Sequence, residues 1–113
     1  MVLYDKTGRY ADAIRLANEI LAVDPQNVKA YNNAASVYLA MKDLAAAEAS
    51  YKKAIEIDRS NYYAYGNLGT IYANQGKFDE AVSLWQAALQ LNPNAPGMRE
   101  NLARLEALRK KVK

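Results

Sequence analysis

A shift of 34 residues lays this chain on itself, and no other feature limits its fold so strongly. Asn33, Asn67 and Asn101 coincide, as do Tyr31 with Tyr65, Tyr38 with Tyr72, Ala13 with Ala47 and Ala81, and Ala54 with Ala88. Three segment endings align as well: Leu21 to Pro25, Ile55 to Arg59 and Leu89 to Pro93. A period of this length belongs to architectures in which one small unit stacks on the next, because a single unit cannot cover its own apolar face.

Each period reads as two helices. In the clearest one, Tyr65, Leu68, Gly69 and Tyr72 recur at helical spacing and form one apolar face. Gln75-Gly76-Lys77 breaks the pattern, with Gly76 suited to the left-handed conformation that ends helices. The second helix runs through Phe78, Ala81, Val82, Trp85, Ala88, Leu89 and Leu91 until Asn92-Pro93-Asn94, where proline cannot continue it. Asp79 and Glu80 stand in its first turn, where negative charge complements the helix dipole, so they are read as structural. Gly69, Ala81 and Ala88 are small enough for close helix approach, and Tyr72, Phe78 and Trp85 fill the space beside them.

Tyr65-x2-Leu68-Gly69-x2-Tyr72, then Ala81-x3-Trp85, then Pro93, resembles the signature of the tetratricopeptide repeat family. The resemblance implies an all-α fold: a right-handed superhelical stack of antiparallel helical hairpins, an α-solenoid with a C-terminal capping helix. It covers nearly the whole chain as one domain, with a partial repeat over 1–27, repeats over 28–61 and 62–95, and the cap over 96–113. The second repeat keeps Tyr31, Ala35, Tyr38, Ala47, Tyr51 and Ala54. Ala34 replaces its usual leucine, Arg59 its proline, and Lys42-Asp43 fills the turn that holds Gly76 in the third. In the first repeat Gly8, Tyr10, Ala13, Ile14 and Pro25 fit a second helix, and Met1 to Thr7 are all that represents the first. Bulky and small sites are exchanged there, with Ala17 at the place of Trp85 and Ile20 at the place of Ala88. In the cap, Leu102, Leu105 and Leu108 supply an apolar face and Arg109-Lys110-Lys111 a soluble end. The stub is expected to mark Met1 as a start inside a longer array. An open apolar edge near Leu3, Tyr4, Ile14 and Leu21 would favour self-association.

Composition removes several chemistries. The 113 residues contain no cysteine and no histidine, hence no thiol nucleophile, no thiolate or imidazole metal ligand and no imidazole base. No two acidic residues are singled out by position, so an enzyme is not expected, and no cofactor is. No apolar run approaches the roughly 18 residues of a membrane span. Met1-Val2-Leu3-Tyr4-Asp5-Lys6 meets charge too early for a signal peptide, which leaves the cytoplasm as the default location. The net charge of +3 is uneven, with six Lys/Arg against two Glu from Pro96 onward. Nucleic-acid binding through Arg99, Arg104, Arg109, Lys110, Lys111 and Lys113 would need affinity that falls steeply with salt, and no aromatic-plus-basic pattern supports it. A solvated, dipole-favoured helix end is the simpler reading.

Members of the family that the chain resembles bind peptides or helices in a concave groove lined by the first helix of each hairpin. The corresponding stripes here are Lys29, Asn33, Ser36, Ala40; Tyr63, Asn67, Thr70, Asn74; and Gly97, Asn101, Arg104, Leu108, each spaced four, three and four residues apart. Asparagine is a poor mid-helix residue, yet one stands at the same height in each stripe. Its amide offers a donor and an acceptor to a peptide backbone. The arrangement resembles the asparagine ladder of the repeat region in O-linked N-acetylglucosamine transferases; helix packing or groove solvation is the alternative. The family's terminal-carboxylate clamp is matched only by Asn67. Asn32 and Ser36 fall on its first half without the lysine, and Gly97 and Asn101 stand where its later cations belong. The expected function is therefore a protein-interaction scaffold for a segment of another protein, at Lys29, Asn32, Asn33, Ser36, Tyr63, Asn67, Thr70, Asn74, Asn101 and Arg104. The alternative is a self-assembling module that associates through its N-terminal edge.

Overall fold

The computed structural model describes residues 6–95 and 97–112; the expected edge residues Leu3 and Tyr4, together with Pro96 and Lys113, lie outside them. Among the described residues there are six helices and no strand: α1 (Lys6–Val23), α2 (Val28–Ala40), α3 (Leu44–Ile57), α4 (Tyr62–Asn74), α5 (Phe78–Leu91) and α6 (Met98–Val112). They fall into two compact units that part between Asp58 and Arg59.

Local chemistry sets the boundaries. Asn27 and Asn61, one period apart, cap α2 and α4 by accepting from the Ala30 and Ala64 amides at 3.0 and 3.4 Å. Asp43 does the same for α3, at 3.3 Å from the Ala46 amide. Lys77, which takes its place before α5, offers no side-chain cap. The α4–α5 turn holds Gly76 at φ 79°, as its position in the sequence requires, and the α2–α3 turn forces Lys42 to φ 65°. That conformation lets the Asp43 and Lys77 amides reach back to the Tyr38 and Tyr72 carbonyls at 2.9 and 2.8 Å. Gly8, the third member of this series, is helical within α1 instead.

In the first unit α2 packs on α3 and on α1. Ala30, Ala34, Ala35, Ala47 and Ala54 are buried, and Tyr51 is the large residue enclosed among small ones. Among the α1 side chains whose burial is described, only Ala17 reaches that state.

In the second unit α5 packs against both α4 and α6. Trp85 is buried with Ala81, Val82 and Leu105, and Tyr72, Phe78, Met98 and Leu102 surround this cluster. Its indole N–H donates to the Gly66 carbonyl at 2.9 Å. A Cβ on Gly69 would stand 2.4 Å from the ring, so this glycine makes room for the indole of its own hairpin. Ile71 and Ala64, absent from the expected apolar face of α4, are fully buried, while Tyr65 and Tyr72 are half-buried. Leu91 and Leu108, both expected to pack, keep 43% and 44% of their surface. No helix among the described residues is long and apolar enough to cross a membrane.

Candidate functional site

Each unit presents a hollow beside some of the expected contact residues. In the first, Asn33 and Ser36 of α2 line a space of ≈ 350 Å³ with Ala30 and Val37, faced by Ala13, Leu16, Ala17 and Ile20 of α1. Lys29 is exposed outside this lining and Asn32 is half-buried. The hollow follows from the residue exchange seen in the sequence: Ala17 occupies the place of Tyr51 and Trp85, both of which are buried in their helices.

In the second unit a smaller hollow of ≈ 220 Å³ gathers Asn74 from α4 and Asn101 and Arg104 from α6. Ala73, Phe78, Trp85, Leu105 and Leu108 supply its apolar walls. The remaining residues of the α4 stripe stand outside it. Tyr63 is 47% exposed and Asn67 half-buried. The Thr70 hydroxyl donates to the Gly66 carbonyl at 3.1 Å, inside its own helix. Tyr62, beside Tyr63, keeps 41% of its surface.

Charge distinguishes the cations. Arg109 is engaged by Asp79 at 3.1 Å, tying α6 to the first turn of α5. Arg104 forms no ion pair among the described residues and borders the hollow, so it is available to an anion. The segment from Arg59 onward carries eight Lys/Arg against four Asp/Glu, which favours an acidic visitor over a basic one.

A third hollow, ≈ 540 Å³, was not anticipated. It lies between α1 and α2, against Ala11, Ile14, Ala22, Tyr38 and Met41, with Arg15, Asn18 and Glu19 at its polar margin. Two periods later the counterparts of Ala11 and Met41 are Asp79 and Arg109, the pair joined by an ion bridge. The signal was present in the sequence as the loss of that charge pair, but its meaning depends on which positions face each other.

Two sequence models of the tetratricopeptide repeat match the chain, one over residues 62–95 and one over residues 2–62. Heat shock protein STI1 of Saccharomyces cerevisiae is 33% identical over 91 residues, 80% of this chain and 15% of that protein. The chain thus spans a small part of such relatives. Among solved structures, the first TPR of Spaghetti (RPAP3) bound to the HSP90 peptide SRMEEVD superposes with a TM-score of 0.83 at 30% identity, covering 93% of this chain and 83% of that one. The second TPR domain of human RPAP3, in complex with the HSP70 peptide SGPTIEEVD, gives 0.78 at 29% identity over 89% and 84%. Period, helix order, turn chemistry and these likenesses agree on an all-α hairpin-repeat fold, and the chain belongs to the tetratricopeptide repeat family.

Proposed function

We propose that this chain is a protein-interaction module that holds a segment of another protein against α4, α5 and α6 of its second unit. The observation that carries this reading is the hollow of the second unit. It sets three polar groups, Asn74, Asn101 and Arg104, around apolar walls. Ligand sites for peptides combine these elements: an apolar recess for one side chain, amides for the backbone, and a charge that fixes orientation. Asn33 and Ser36 border the separate hollow of the first unit, which offers similar chemistry there. The domains of RPAP3 that resemble this chain hold peptides ending in acidic residues and a C-terminal aspartate. In this sequence Gly97 and Asn101 replace the later cations of a terminal-carboxylate clamp, so we assign recognition to the asparagines and Arg104.

Trp85 is the chain's single tryptophan and walls the hollow, which makes its fluorescence a direct reporter. Addition of acidic peptides that contain no tryptophan should change its emission saturably. An Asn101→Ala/Arg104→Ala variant should lose that response while keeping its helical circular dichroism. An unchanged response in the variant would move binding away from this hollow and overturn the assignment.

A further inference from the structure

The hollow of the second unit carries a single charge. Arg104 is the one ionic residue of its lining, and the amides of Asn74 and Asn101 and the apolar walls are neutral. Among the described residues no carboxylate pairs with Arg104, although Glu100 stands four positions before it on the same helix. The mouth of the hollow is open for a reason internal to the unit. One period earlier, Thr70 and Asn74 are the counterparts of Arg104 and Leu108, and both are exposed although α5 packs on α4. These positions therefore stay open in a helix that has its hairpin partner.

We propose, resting on the peptide-binding reading, that the ligand of this hollow is an internal segment in which one apolar side chain and one Asp or Glu stand two residues apart. A chain end with two carboxylates is disfavoured. Size limits the apolar part. A space of ≈ 220 Å³ is smaller than the roughly 300–1,000 Å³ that enclose a whole small ligand, so it takes one side chain. Spacing places the acid. Arg104 and Leu108 are four residues apart on α6, a rise of about 6 Å. Alternate side chains of an extended chain point the same way and stand about 6.6 Å apart. A segment lying along α6 thus sets its apolar side chain against Leu108 and the aromatic walls when its carboxylate meets Arg104.

Charge selects an internal acid over a terminal one. One guanidinium compensates one carboxylate. A terminal Asp or Glu brings two, and the second would face Phe78, Leu105 and Leu108 without a cation, where an unpaired charge is costly to desolvate. Asn74 and Asn101 add to this preference. Each offers a donor and an acceptor, which an interior peptide group can use on both sides, whereas a carboxylate only accepts.

The peptides SGLSESG and SGESLSG, acetylated and amidated, present the pair in either chain direction with no tryptophan and no free terminus. One of them should change Trp85 emission saturably. In that peptide, alanine in place of leucine should weaken binding about tenfold or more. Glutamine in place of glutamate should weaken it severalfold, and the gap between acid and amide should narrow as salt rises. The peptide SGLSE with a free carboxyl end should bind more weakly than the blocked one. An Arg104→Glu chain should reject the acidic peptide and take its lysine counterpart, an exchange that a purely structural arginine would not produce. Emission that answers only peptides with a free terminal carboxylate would overturn this inference and leave the peptide-binding reading standing. No response to any acidic peptide would remove both. Equal binding of the glutamine peptide, or an unchanged preference in Arg104→Glu, would also overturn the inference.

Discussion

At position 85 a single side chain joins three helices: the indole N–H bonds the α4 carbonyl of Gly66 while the ring packs with Leu105 of α6. Trp85→Ala should therefore cost about 3–5 kcal/mol in chemical unfolding, the range for large aromatic truncations in cores. Gly69→Ala tests the same contact from the other side. Its Cβ would meet the ring at 2.4 Å, and overpacking of that kind costs about 1–3 kcal/mol. A third residue-scale effect lies in the paired turns. Lys42 holds φ 65°, a conformation that costs a residue with a Cβ about 1–2 kcal/mol. Lys42→Gly should raise stability by about 0.5–1 kcal/mol once glycine's larger unfolded-state entropy is subtracted. Gly76→Ala, at φ 79°, should lower it by about 1 kcal/mol or more, and the denaturation midpoints of the two variants should move in opposite directions. The Asp79–Arg109 bridge is a poor place to look for stability, since Asp79 is 83% exposed and such pairs contribute about 1 kcal/mol at most.

Among the helices, caps and coverage determine which open first. Asn61 caps α4 through the Ala64 amide, and Asn61→Ala should cost about 1 kcal/mol, read from the midpoint of thermal or urea unfolding. The asparagines of the sequence thus divide by element. Asn27 and Asn61 close helix ends, whereas Asn33 and Asn101 stand exposed on helix faces beside hollows. Among the described side chains α1 has a single buried one, Ala17, against three or more in each of α2 to α5. Local opening follows coverage, so amides from Ile14 to Val23 should exchange faster than those of α3 and α5. Best protection in that segment would mean that something other than α2 covers it.

At the scale of the molecule, repeat proteins are held by intrinsic unit stability and nearest-neighbour terms. The two compact units have different means of cohesion: alanines around Tyr51 in the first, an indole anchored to a backbone carbonyl in the second. Trp85→Ala should accordingly strip exchange protection from α4, α5 and α6 before it affects α2 and α3. Equal loss along the chain would mean that unfolding is a single transition.

The period of 34 residues, the turn residues and the proline stops determined six helices, their order and their family, because helix propensity, capping and apolar spacing are local properties carried by neighbours in sequence. Gly76 announced its own turn. Tertiary structure decided what locality cannot hold: that Lys42 must adopt the same left-handed turn, that Ile71 is buried and Leu108 is not, and that Gly69 is small for the sake of Trp85. It also decided which members of three equivalent stripes stand around a common space. Asn74, Asn101 and Arg104 meet because α4, α5 and α6 converge there, and Tyr63 and Thr70, equally legible in the repeat, do not join them. Facing is a property of pairs of elements, and spacing along one helix fixes only which residues share a side.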